Sequence, residues 1–81
     1  MPIFHIHLFN DAEVLDESGQ EFRDADAARD EAVRSGREII AEHILQGRPI
    51  NPEHHLIVED AQGQRLAKIL FGELICFDGQ T

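Results

Sequence analysis

Apolar and polar positions alternate from residue 3 to residue 9, with Phe4, Ile6 and Leu8 on one side and Ile3, His5, His7 and Phe9 on the other. A period of two predicts a strand. Asn10-Asp11 is a turn signal, and Glu13-Val14-Leu15 predicts a returning strand. Asp16-Glu17-Ser18-Gly19 reads as a type I turn, with an aspartate that bonds its own backbone and a glycine at the end. Gln20-Glu21-Phe22 continues extended. The period then changes. Ala28, Ala32, Gly36, Ile40 and Ile44 recur every fourth residue, with Val33, Ile39 and His43 beside them. This spacing predicts a helix over 25–46, about 33 Å long at 1.5 Å per residue. Asp24 is the expected N-cap, Asp26 and Asp30 suit the helix dipole, Gly47 is the expected C′ residue and Pro49 prevents resumption. Gly36 weakens a helix by about 1 kcal/mol relative to Ala. Together with the small residues at 28 and 32 it points to a helix backbone lying close against a sheet.

Residues 50–54 read as loop, broken by Pro52. Leu56-Ile57-Val58-Glu59 and Leu66-Ala67-Lys68-Ile69-Leu70-Phe71 predict a hairpin around Asp60-Ala61-Gln62-Gly63. Leu74-Ile75-Cys76-Phe77 predicts a last short strand or an ordered tail. Val14–Phe22 and Val58–Leu66 share the pattern V-x-D-x-x-G-Q-x-[FL]. A duplicated strand–turn–strand would explain it. Convergence of two turns on one chemistry explains so short a match more simply. The expected order is β-β-α-β-β in a single domain, residues 1–81. The expected fold is α+β: one long helix on one face of a small antiparallel sheet of three to four strands. The opposite face would carry Ile3, His5, His7, Phe9 and Ile57, which is more apolar than a solvated face needs. A second copy of the chain covering it makes a homodimer the expectation.

Composition narrows the function classes. Eighty-one residues make one domain with a thin core. Cys76 is the single cysteine, so no intrachain disulfide forms and nothing demands an oxidising compartment. Met1-Pro2-Ile3-Phe4-His5 lacks the pattern of a signal peptide, and no apolar stretch approaches the ~20 residues of a membrane span. The expected location is the cytoplasm, with no membrane contact. Sixteen acidic against seven basic residues give a net charge of −9. Arg23, Arg29, Arg34 and Arg37 fall near or on the helix, but Asp24, Asp26, Asp30, Glu31, Glu38 and Glu42 surround them. A phosphate backbone needs a concentrated positive surface, so nucleic-acid binding is not expected. The acidity suits a basic protein partner or simply a well-solvated surface.

Five histidines are many for this length. His5-x-His7 places two imidazoles on one strand face, and His54-His55 could lie beside them. Such a cluster suits Zn²⁺, Ni²⁺ or Cu²⁺. Against a metal, no cysteine joins them, and His54 and His55 point to opposite faces once a strand has begun. The competing reading is a polar sheet face plus a loop, with no metal or other cofactor. His43 falls in the apolar arc of the helix. It is a pH-sensitive interface residue or, more simply, a histidine favoured by the helix C-terminus. Asp16, Glu17, Glu59 and Asp60 supply carboxylates, all at expected turns where capping explains them. Ser18 is in a turn, Ser35 mid-helix, Thr81 terminal and Cys76 in an apolar run that keeps its thiol inert. The six glycines are dispersed rather than gathered into a phosphate loop. No catalysis is expected.

Three segments carry a family resemblance. Met1-Pro2-Ile3-Phe4-His5-Ile6-His7-Leu8 is similar to M-P-x-[YF]-x-[FI]-H-[LV]. Asp16-x2-Gly19-x2-Phe22-x-Asp24-x3-Ala28-x2-Glu31-Ala32 is similar to D-x2-G-x2-[LF]-x-[DS]-x3-A-x2-E-A. Val58-x-Asp60-x2-Gly63-x2-Leu66-x2-Ile69-x-Phe71 is similar to V-x-D-x2-G-x2-L-x2-[IL]-x-F. In this order and spacing they resemble a family of short, uncharacterised proteobacterial proteins, abundant in rhizobia and catalogued only as a domain of unknown function. The resemblance covers about residues 1–71 and implies a small cytoplasmic bacterial α+β domain. It carries over no catalytic residue, because the family has none assigned. Two departures are Ile3, where the family is more often polar, and residues 72–81, which extend past its usual end. A more distant likeness, resting on Asp26–His43, is to partner-binding antitoxins of the Hic type, and it is a likeness of fold alone.

Overall fold

Strand alternation at the start of the chain produces the central strand of the fold. A computed structural model describes residues 1–76. β1 (Ile3–Phe9) pairs antiparallel from Phe4 to Phe9 with β4 (His55–Asp60), and β4 pairs with β5 (Arg65–Leu70). The other edge of β1 is shared by two strands of two residues each, β2 (Glu13–Val14) at its end and β3 (Gln20–Glu21) at its start. The sheet order is β2-β1-β4-β5, with β3 off this path on β1. Five strands replace the three to four expected from sequence. The difference is β3, expected only as an extended continuation of the preceding turn.

The helix α1 (Ala25–Leu45) starts where expected. Asp24 caps it, its Oδ1 accepting from Ala27 N–H at 2.8 Å. Ala28, Ala32, Gly36 and Ile40 are buried against the sheet. The small residues at 28, 32 and 36 bring the helix axis close, so Phe4, Val58 and Ile69 pack directly on Ala28 and Ala32. A second cluster joins Ile40, Leu56 and Phe71. Phe22 tilts against Phe4 with ring centroids 6.2 Å apart. The stripe ends one turn early. Ile44 is 63% exposed, because α1 has by then run past the edge of the packed clusters.

Asp24 also sets an acid limit on the helix. Accepting the Ala27 N–H holds its carboxyl below the ordinary value of 3.8. A folded-state pKa below the unfolded one contributes stability that is present above the unfolded value and lost as pH falls through the folded value. Asp24→Asn is therefore expected to flatten the loss of helix signal below about pH 4. Circular dichroism of both proteins along an acid titration checks this, and superimposable curves would count against it.

Of the two expectations for Leu74–Phe77, a last short strand or an ordered tail, the strand does not form in the described part. After Leu70 the chain enters a single helical turn, α2 (Phe71–Leu74). Phe71 N–H donates to His54 C=O at 2.7 Å and Gly72 N–H to Pro52 C=O at 3.0 Å. These bonds tie the start of α2 to the 50–54 loop. Leu74 then turns inward toward Gly36, where an added methyl would come within 2.5 Å of Leu74 Cδ1. Phe77 lies outside the described residues.

Candidate functional site

The two faces of the sheet differ. Phe4, Ile6, Leu8, Leu56 and Val58 meet α1. Ile3, His5, His7 and Phe9 therefore lie opposite, and the register sets Ile57 directly across from His7. The five residues singled out from sequence share one face. They are not equally open. Ile57 is 5% exposed even within the single chain. Ile3, His5, His7 and Phe9 are half-buried.

The turn that follows β2 rests against Ile3, His5 and His7. Asp16 is its anchor. Asp16 C=O accepts from His5 Nδ1 at 2.8 Å, and Asp16 N–H donates to His7 Nδ1 at 3.0 Å. One residue's backbone thus holds both imidazoles of the His-x-His pair, whose rings stack with centroids 6.1 Å apart. The Asp16 side chain does more. Its Oδ2 accepts from Ile6 N–H at 3.2 Å and its Oδ1 from Gly19 N–H at 2.9 Å. Ile6 lies in the stretch of β1 between the β2 and β3 pairings. The carboxylate fills the gap in the ladder that neither short strand reaches.

Hydrogen-bond roles fix the chemistry of the histidines. His5 must carry its proton on Nδ1 to reach a carbonyl. His7 must keep Nδ1 bare to accept an amide, so its proton sits on Nε2, which donates to Glu59 Oε1 at 2.9 Å. Both His7 nitrogens are then engaged, and no lone pair is free for a metal or for proton abstraction while the turn is closed. Among the described residues no group of three or more His, Cys, Asp or Glu is placed to hold a metal ion.

The remaining histidines do not join this pair. His55 stacks on Phe9 on the same face, centroids 5.1 Å apart. His54 turns to the other side and meets the edge of Phe71. His43 Nδ1 donates to Ile39 C=O at 2.8 Å, four residues back in α1. It borders a shallow groove of about 420 Å³ with Glu38, Ile39 and Arg48, open to solvent. Sequence reading placed Glu59 among turn carboxylates. The structure places it in β4, where it fixes His7. The clue available was register: pairing β1 with β4 puts Glu59 opposite His5 and diagonal to His7, two residues from Ile57.

The two D-x-x-G turns are alike in form and unlike in setting. Asp60 Oδ1 accepts from Gln62 and Gln64 N–H, both at 2.9 Å, entirely within its own hairpin. Gly19 and Gly63 both hold positive φ, +76° and +82°. A methyl at Gly63 would meet nothing within 4 Å, whereas one at Gly19 would come within 2.6 Å of Ile3 Cγ2 and 2.9 Å of His5 Cε1. Gly63→Ala is expected to cost about 1 kcal/mol, the left-handed backbone penalty alone. Gly19→Ala adds overpacking and should reach roughly 2–4 kcal/mol. Paired denaturant titrations measure both, and equal midpoint shifts would show that the turn does not rest on the sheet face.

The face, its turn and the helix behind it lie within one family segment. A family model described as a domain of unknown function, DUF6894, matches residues 3–72. The chain belongs to this family. The matched span takes in His5, His7, Asp16 and Glu59, and it stops within α2. No curated protein matches the chain, and no solved structure matches it. Among the described residues no helix is long and apolar enough to cross a membrane.

Proposed function

We propose that the chain is a non-catalytic interaction module that pairs with a second copy of itself through the sheet face opposite α1. One observation carries the reading. Ile3, His5, His7, Phe9 and Ile57 lie together on the sheet face opposite α1, with the Asp16–Gly19 turn against Ile3, His5 and His7. A two-layer domain leaves such a face for another surface to cover. The engaged nitrogens of His7 support the absence of catalysis. The exposed thiol of Cys76, the one cysteine in the sequence, supports a cytoplasmic setting.

Light scattering coupled to size-exclusion chromatography at two concentrations tests the pairing. The expected mass is twice the 9.2 kDa of the chain. Ile3→Asp and Phe9→Asp should return it to 9.2 kDa. A monomer unchanged by either substitution would sink the homodimer. The net charge of −9 favours a second reading, an acidic subunit that masks a basic protein partner. A basic small protein encoded beside this one would support it.

A further inference from the structure

We infer that His7 is a pH-operated latch on the Asp16–Gly19 turn: the neutral ring holds the turn against the sheet, and the protonated ring releases it. The inference does not depend on the homodimer proposed above. It rests on which ring nitrogens donate and which accept. Asp16 N–H donates to His7 Nδ1 at 3.0 Å, so that nitrogen must be bare. An imidazolium carries a proton on both nitrogens and accepts at neither. Protonating His7 therefore sets two N–H groups against each other at the Asp16 backbone. The Nε2–H bond to Glu59 Oε1, at 2.9 Å, survives and becomes charge-assisted. The ring thus keeps its hold on β4 and loses its hold on the turn. Its side chain is only 13% exposed, so water cannot replace the lost bond until the turn lifts. Lifting takes Gly19 away from Ile3 and His5 and opens this end of the sheet face.

The other four histidines carry no such conflict. His5 Nδ1 donates to Asp16 C=O at 2.8 Å, His43 Nδ1 to Ile39 C=O at 2.8 Å and His55 Nδ1 to Glu53 C=O at 3.2 Å. Each can take a second proton on Nε2 and keep its bond. His54 Nε2 lies 3.9 Å from Asp11 Oδ1, a contact that protonation strengthens. Carboxyl groups ordinarily titrate near pH 4, below the range of about pH 5–8 in which histidine changes charge. Loss of the Asp16 N–H bond within that range therefore reports His7. Charged groups reach its surroundings from each neighbouring element. Glu59 of β4 touches the ring, and Asp16 of the turn adds a carboxylate already held by Ile6 and Gly19 N–H. His5 stacks at 6.1 Å, and His55 lies further along the face on Phe9. Lys68 and Arg65 of β5 are the register partners of Ile57 and Glu59, and Glu13 and Glu21 those of Phe9 and Ile3. The histidines and cations oppose an added proton, and the carboxylates favour it. Glu59 is in direct contact and weighs most.

Nuclear magnetic resonance of the full chain at about pH 8 and about pH 5 tests the latch. At the higher pH the ring-nitrogen shifts should show His7 bare at Nδ1 and His5 protonated there. At the lower pH His7 should be protonated on both nitrogens. The protection factor of the Asp16 amide, which divides out the intrinsic pH dependence of exchange, should then fall by about tenfold or more. The Ala27 amide, capped by Asp24, should keep its protection. His7→Asn sets an oxygen acceptor that does not titrate near the place of Nδ1, and should leave the Asp16 amide equally protected at both pH values. Glu59→Gln keeps an acceptor for Nε2–H but removes the charge that favours the cation, and should move the release to lower pH. Circular dichroism verifies folding of each variant, and the wild-type measurement is decisive without them. A His7 ring still neutral at the lower pH would overturn the latch. So would a doubly protonated ring beside an Asp16 amide of unchanged protection, or a pH-dependent loss of protection that persists in folded His7→Asn.

Discussion

Asp16→Ala is expected to destabilise the protein by roughly 3–6 kcal/mol, the range for losing two hydrogen bonds to a charged acceptor. Both bonds have structural reach. The Gly19 N–H bond closes the turn, and the Ile6 N–H bond replaces a missing rung of the sheet. Without the carboxylate, Ile6 N–H loses its acceptor in the middle of β1. The backbone bonds of Asp16 to His5 and His7 remain chemically possible, but the turn that aims them is loosened. A domain of 81 residues has a total stability of about 4–12 kcal/mol, so this one substitution removes a large share. Asp16→Asn keeps one good acceptor and should cost about half as much. Urea titration measures the size. Hydrogen exchange at the Ile6 amide identifies the cause, and an unchanged protection factor there would contradict the explanation.

The second large effect is expected at Leu56, where alanine should cost about 3–5 kcal/mol. Leu56 is 2% exposed and joins Ile40 and Phe71 beneath the C-terminal half of α1. Its Cδ1 stands 3.0 Å from where a methyl at Gly36 would be, and Leu74 Cδ1 stands 2.5 Å from it. Gly36→Ala therefore sets two effects against each other. Helix propensity favours alanine by about 1 kcal/mol, and overpacking opposes it by about 1–3 kcal/mol. Overpacking wins in the wild type because fully buried Leu56 has little room to yield. In the Leu56→Ala background one of the two obstructing side chains is gone, and the same methyl enters the cavity. Gly36→Ala should then cost less, or become favourable. Additivity of the two substitutions in a double-mutant cycle would refute direct packing between these positions.

The parts of this fold legible in the sequence are those whose cause is local. Asp24 caps the nearest free amide, Ala28 and Ala32 repeat at helical spacing, and Asp60 closes a hairpin with its own neighbours. Each works over a few residues, so composition and spacing carry the signal. The same holds for the face assignment of Ile3 to Phe9, since alternation in a strand is a property of the backbone. What escaped depends on contacts distant in sequence. Gln20-Glu21 is a strand only because β1 lies beside it. Phe71–Leu74 turns into a helix because His54 and Pro52 bind its amides. Ile44 fits the helical stripe but outruns the sheet, and sequence periodicity contains no information on where a partner layer ends. Asp16 was legible as a turn residue through its bond to Gly19. Its bonds to His5, Ile6 and His7 required the fold.

The interrupted outer edge of β1 also bears on how the protein survives at high concentration. A strand seeking to add to this side of the sheet would find β2 and β3, each two residues long, separated by a carboxylate. Neither offers the continuous run of free amides and carbonyls on which cross-β growth is templated. The opposite edge, β5, is longer, and there Arg65 and Lys68 supply the charge that discourages an incoming chain. Asp16 thus breaks up an edge on which cross-β growth would be templated as well as fastening the fold.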